Sequence, residues 1–252
     1  MSEALPKLPF SRLSEPEEIL RACWEYFGPT AALSTSLQGA GLAALHISVK
    51  KGFQFPFFFL DTHFHFPETL QFIAEIEELL GVKIERLHPD LTPVQQQELL
   101  GSRLWERDPD QCCHLRKVLP LQRRLSSSTA WLTGIRKGQT ARRDRQSPFE
   151  VVTLNALPEQ QQVYKISPFL LWDGEQVKDY LDRENVPRHP LIEQGYFSIG
   201  CTHCTSPVGP NETERSGRWR GRSKTECGIH AIPSQPLEPA PLNPIKTNNI
   251  GI

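Results

Sequence analysis

The sequence predicts an α/β fold: an open, mostly parallel sheet with helices on both faces, followed by an irregular C-terminal segment that carries a candidate nucleophile. Three observations predict it. Short apolar runs alternate with segments of helical periodicity as far as residue 185, the pattern of right-handed crossover units. One run, Phe57–Leu60, is dense in aromatic side chains, as suits a strand buried on both faces. From His189 onward the alternation gives way to Gly, Pro and polar residues.

The elements follow in order. Ser14 with Glu17 reads as a capping box, and apolar residues at helical spacing continue through Phe27 until Gly28 stops them. Residues 30–33 form a first strand, leading into a Ser/Gly-rich turn at 34–41 and a helix from Leu42 to about Lys50. The aromatic strand is next. Pro67 opens a helix that repeats Leu70, Ile73, Ile76 and Leu80 before Gly81. Strands are expected at 82–87, 130–133 and 162–166, and Asp173 caps a helix reaching about Asn185. Residues 1–230 read as one domain and 231–252, with five prolines, as a flexible tail.

The formal net charge of −1 argues against a general nucleic-acid binder. No apolar run approaches membrane-spanning length, and the first residues lack a signal-peptide layout. Clustered cysteines without export signals fit a reducing cytoplasm. The oligomeric state is left open, a homo-oligomer included.

Cysteine placement carries the chemistry. Cys112 and Cys113 are adjacent, Cys201 and Cys204 form a C-x-x-C, and Cys227 precedes His230 by three residues. Four soft thiolates from two places suit an iron–sulfur cluster or zinc, whereas a lone thiol near a histidine suits a nucleophile. Cys23, within an apolar helical pattern, reads as a core residue. Three loops follow strands, where an open parallel sheet binds ligands: the 34–41 turn, the segment after Leu60-Asp61-Thr62, and residues 134–143. The last contains four basic residues, and Arg215, Arg218, Arg220 and Arg222 form a second basic group before Cys227. Guanidinium forks match phosphate and sulfate, so the expected substrate is multiply anionic.

Together these motifs resemble those of the assimilatory adenylyl-sulfate (APS) reductases, in a wider family with 3′-phosphoadenylyl-sulfate (PAPS) reductases. Leu60-Asp61-Thr62 and Pro67-Glu68-Thr69 resemble the family's LDTG…PET segment, with His63 where glycine is usual. Residues 134–143 resemble its G-x-R-R-x-Q-S-x-x-R loop, 212–222 its E-R-x-G-R-W segment and 226–230 its E-C-G-[LI]-H signature. Leu37-Gln38 depart from the family's pyrophosphatase-type loop.

The resemblance implies an adenine nucleotide alpha-hydrolase-like fold and a [4Fe–4S] cluster on Cys112, Cys113, Cys201 and Cys204. PAPS reductases generally lack both cysteine pairs, so the pairs point to APS. It implies Cys227 as the nucleophile, forming an S-sulfonate that thioredoxin releases as sulfite, with His230 beside it. Ser34, Ser36, Leu60, Asp61, Thr62, Lys117, Gly134, Arg143, Arg215 and Arg218 are the expected substrate contacts. A PAPS reductase and a metal-stabilised binding module are the alternatives.

Overall fold

The computed structural model describes residues 5–156 and 160–238. In chain order the elements begin α1 (Pro16–Phe27), β1 (Ala31–Ser34), α2 (Gly39–Lys50), β2 (Phe57–Leu60), α3 (Pro67–Leu80) and β3 (Ile84–Leu87). Four helices follow, α4 (Pro93–Leu100), α5 (Leu104–Arg107), α6 (Pro109–Cys113) and α7 (Leu119–Leu125), then β4 (Ala130–Leu132). The last elements are β5 (Phe149–Leu154), β6 (Gln161–Ile166), α8 (Gly174–Arg183) and β7 (Ser234–Pro236).

The sheet runs β3-β2-β1-β4-β6-β5-β7. The first five strands in that order pair in parallel, and β5 and β7 are antiparallel to their neighbours. Side-chain alternation explains why helices cover both faces. Ala31, Leu33, Phe57 and Phe59 pack into one core layer with α1, α2, α3 and α8. Ala32, Phe58 and Trp131 point the other way, against Leu121 and Leu125 of α7. Cys23 lies fully buried in the first layer, as expected of a core residue. After β1 the chain goes out to β2 and β3, then returns to place β4 on β1's other side. That reversal opens a crevice beyond the carboxyl ends of β1 and β4.

Local chemistry accounts for the differences from the sequence reading. Ser14 does not cap α1; the cap is Glu15, extended and without a side-chain bond, because Pro16 fixes the first turn. Asp173 does cap α8, in a capping box with Gln176. The 149–154 strand forms a hairpin with β6 that the crossover pattern does not anticipate.

The expected tail does not begin at 231. Ile232 is buried against the α7 layer, and Ser234–Pro236 pairs with β5 at the sheet edge, where a proline's missing N–H is tolerated. Residues 239–252 lie outside the described residues. Among the described residues no helix is long and apolar enough to cross a membrane.

Candidate active site

A cavity of about 750 Å³ opens at the carboxyl edge of β1, β2 and β4, in the crevice the topology creates. Ser34, Ser36, Leu60, Lys117, Gly134, Arg143, Arg215, Arg218, Cys227 and His230 line it. Asp61 and Thr62 do not. Thr62 instead turns its hydroxyl to Cys201 Sγ (3.2 Å) and its carbonyl to Arg116 Nη1 (3.0 Å). The Asp61 carboxylate accepts the His63 N–H (3.0 Å), facing away from the cavity.

Close backbone approach shapes the floor. A Cβ on Gly134 would lie 2.3 Å from Gly41 N, so only glycine lets the end of β4 meet the start of α2. The first turn of α2 opens into the cavity without a side-chain cap, leaving backbone N–H groups and partial positive charge for an anion. The Ser34 hydroxyl serves the sheet. It receives Trp131 Nε1–H (2.8 Å) and donates to Leu132 O (3.1 Å), tying β1 to β4. Gln38, where the sequence departs from the family pattern, clasps both backbone groups of Ile199 (2.7 and 3.0 Å). It thereby fastens the segment that delivers Cys201.

Two carboxylates, neither assigned a role by sequence reasoning, join the two basic segments. Glu226 takes a bidentate pair from Arg143 (2.7 and 2.9 Å) and a longer contact from Arg215 (3.3 Å). Its Oε1 also accepts the Cys227 N–H (2.9 Å). Burial alone would raise this carboxyl; the Arg143 hydrogen bonds and charge overcome it and hold it down at about 2. Glu214 receives Arg136 Nη2 (2.8 Å) and Gln139 Nε2 (2.9 Å). Arg143 therefore reaches the cavity as a partner of Glu226. Sequence signals exist for both: Glu226 directly precedes the candidate nucleophile, and Glu214 directly precedes Arg215.

Cys227 is buried, at the start of a tight turn through His230. Its thiol is pushed well below the usual range. An S–H from Cys113 contributes most; burial opposes it, and the Lys117 ammonium, the Ile229 N–H and the Arg218 guanidinium add to it. From sequence, a protonated His230 is a further candidate cation. The structure corrects this: burial, then the Arg143 charge, push His230 well below its ordinary value, so its ring is neutral. It stacks parallel to Trp131 at 6.0 Å between centroids. Its ring also lines the cavity beside Cys227.

The four remaining cysteines converge next door. Cys112, Cys113, Cys201 and Cys204 line one small pocket with Phe64, Trp105 and Trp219. Pro120 has no N–H for the carbonyl of Arg116, and between α6 and α7 the helix widens into a π-type turn, His114–Val118. That turn aims Lys117 into both the thiol pocket and the nucleotide-sized cavity. Burial would lower its pKa, but the neighbouring sulfurs of Cys201, Cys227 and Cys113 more than reverse this and keep it an ammonium. Arg218 donates to Cys204 O (3.2 Å) and stacks on Trp219 at 4.5 Å. A Cβ on Gly200 would collide with its guanidinium, so that glycine makes room for it.

The family model for the phosphoadenosine phosphosulfate reductase domain matches residues 30–207. The chain belongs to this family. A relative from Mycolicibacterium smegmatis, an adenosine 5′-phosphosulfate reductase, is 39% identical over 214 residues, covering 85% of this chain and 87% of that one. A phosphoadenylyl-sulfate reductase from Candida auris superposes with a TM-score of 0.67 at 28% identity, covering 82% of this chain and all of the other. The fold itself extends further: an FMN adenylyltransferase from Candida glabrata gives a TM-score of 0.55 at 16% identity over 90% of this chain and 74% of its own. The sheet order and these neighbours agree with the expected adenine nucleotide alpha-hydrolase-like fold. The family match ends before Cys227, so the assignment of that segment stands on its geometry.

Proposed function

We propose that this protein reduces APS to sulfite and AMP in sulfate assimilation, in the cytoplasm, with thioredoxin as reductant. The observation that carries the reading is Cys227, buried between Lys117 and Arg218 where a nucleotide-sized cavity meets a four-thiol pocket. The APS reductase identity of the 39% relative and the two cysteine pairs favour APS over PAPS.

In APS a sulfate is joined to a phosphate as a mixed anhydride. The Cys227 thiolate attacks sulfur; an S–S bond forms, the S–O bond breaks, and AMP leaves with the electron pair. Lys117 and Arg218 stabilise the thiolate beforehand, and with the α2 N-terminus they offset charge gathering on AMP. Arg143 and Arg215, braced by Glu226, fix the turn that positions the sulfur. A thioredoxin thiolate then attacks Cys227 Sγ and displaces sulfite, and its second thiol resolves the mixed disulfide. The dithiol supplies both electrons that take sulfate sulfur to sulfite. Because Cys227 is buried, that second step requires the 227–231 turn to move and to release the Arg142 bonds to His230 O and Ala231 O (3.0 and 3.2 Å).

The donor set fits a [4Fe–4S] cluster on Cys112, Cys113, Cys201 and Cys204. A single tetrahedral ion with metal–sulfur bonds of about 2.3 Å draws its thiolates to within roughly 4 Å of each other. Four soft thiolates brought to one pocket from two segments are also the ligand set of a [4Fe–4S] cluster. Cys112 and Cys113 at the end of α6 and Cys201 and Cys204 in the 201–204 loop would hold such a group, which would tie the two segments together and add local charge beside Lys117. Thiolates bound to it would not donate to Cys227, and Lys117, the Ile229 N–H, Arg218 and Arg215 would still favour the nucleophile.

Mass spectrometry tests the reading. Protein mixed with APS alone should gain one SO3 group on the Cys227 peptide, and reduced thioredoxin should remove it as sulfite. Cys227→Ser should keep its metal content and AMP binding but form no adduct. An adduct elsewhere, or normal sulfite production by the serine variant, would overturn the mechanism.

A further inference from the structure

We propose that Asp61, His63 and His88 form a surface site for a divalent transition-metal ion, separate from the thiol pocket and from the nucleotide cavity. Among the described residues they are the one set of three metal-ligating side chains whose donor atoms all lie within 4.8 Å of one another. His63 Nε2 and His88 Nδ1 are 3.0 Å apart, and His88 Nδ1 is 3.9 Å from Asp61 Oδ2. Metal–nitrogen bonds of about 2.0–2.1 Å place two adjacent imidazole nitrogens roughly 3.0–3.4 Å apart, so the observed spacing needs little adjustment.

The scaffold beneath the three groups is rigid. Leu60 and Leu87 are register partners in the parallel β2–β3 pair, and the Asp61 N–H continues that ladder to Leu87 O (2.9 Å). Asp61 and His88 therefore leave the ends of two paired strands side by side. His63 has to turn back to join them, and it does so at φ +60°, a left-handed conformation that a histidine rarely adopts. The Asp61 carboxylate holds that turn through the His63 N–H. The sequence thus puts a strained imidazole within hydrogen-bond distance of His88. Strain of this kind persists where surrounding structure fixes it, often at ligand sites.

Two imidazoles and one carboxylate suit zinc, cobalt or nickel and not magnesium, which demands oxygen ligands. His63 and His88 are exposed, so water would fill the remaining positions of a bound ion. The ion would clamp both sides of Thr62, whose hydroxyl touches Cys201 Sγ.

Cobalt(II) is the probe, because its spectrum separates nitrogen and oxygen ligands from thiolates. Anaerobically purified protein, with its thiol pocket as isolated, is titrated with Co2+ alongside His63→Gly and His88→Ala. The wild type should take up one equivalent with weak d–d bands and no thiolate charge-transfer band. Each variant should bind that equivalent at least tenfold more weakly, Zn2+ should displace it, and excess Mg2+ should not. His63→Gly relieves the backbone strain, so its melting temperature should hold or rise, and loss of binding there is not loss of fold. Equal uptake by all three proteins, or a thiolate-type spectrum, would leave only an imidazole–imidazole hydrogen bond and overturn the site.

Discussion

Replacing Glu226 by Gln isolates the electrostatic brace around the candidate nucleophile, because the amide keeps the shape and removes the charge. In the structure this carboxylate is almost fully buried, bidentate with Arg143 and in contact with Arg215 and the Cys227 N–H. Burial acts to raise its pKa, yet the arginines hold it at about 2 against an ordinary value of 4.5. A carboxyl so depressed on folding contributes about 3 kcal/mol at neutral pH. The independent expectation for breaking a buried ion pair, about 3–5 kcal/mol, is of the same size. The sign follows from the direction: the contribution is present above pH 4.5 and is lost as pH falls toward 2. The variant should therefore melt about 6–12 °C below wild type at pH 7. At successively lower pH through the 4.5 to 2 window the difference should narrow. Thermal melts of both anaerobic proteins in matched buffers measure it. A difference under about 1 kcal/mol at pH 7, or one that does not shrink with acid, would refute the claim that Glu226 is the anion holding this segment.

Each of Cys112→Ser, Cys113→Ser, Cys201→Ser and Cys204→Ser should lose iron, acid-labile sulfide and activity together; full metal content in all four would remove the cluster assignment. Arg218→Ala should lower kcat/KM for APS about 10- to 100-fold, the worth of a charge-assisted contact, with a melting temperature near wild type. Gly134→Ala should force α2 away from the end of β4, costing about 1–3 kcal/mol and weakening AMP binding in calorimetry. Wild-type AMP affinity in that variant would show that the close approach does not shape the site.

What was legible in the sequence divides by the range of the interactions. The parallel strands were readable because Phe57–Leu60 and its neighbours are apolar on both faces, a property each segment carries by itself. The edge strand at Ser234–Pro236 was not, since its order derives from pairing with β5 and from Ser234 Oγ donating to Glu150 Oε1 (2.9 Å). The cysteine pairs were legible by spacing. The partnership of Arg143 with Glu226 joins residues 83 apart, and a basic loop read alone looks like a receptor for the substrate. Asp61 shows the same limit. Its place at a strand end was correct, but only the turn at His63 determines that its carboxylate faces the neighbouring histidines.

The two halves of the proposed chemistry meet in one side chain. Cys112 and Cys113 end α6, and the widened turn that follows rotates Lys117 away from a regular helical position so that it faces both the thiols and the cavity. A lysine buried this deeply would lose its proton if the pocket were apolar. Negative charge on neighbouring sulfur opposes that loss, and the retained charge in turn favours the Cys227 thiolate across the cavity wall. The dependence is mutual: removing the thiol set weakens the reason for Lys117 to stay charged, and removing Lys117 leaves Arg218 and Arg215 as the cations acting on Cys227. In the proposed chemistry this coupling lets the thiol set act on the nucleophile through charge. It also relates the thiol pocket to the adjoining cavity, which share Lys117 in their linings.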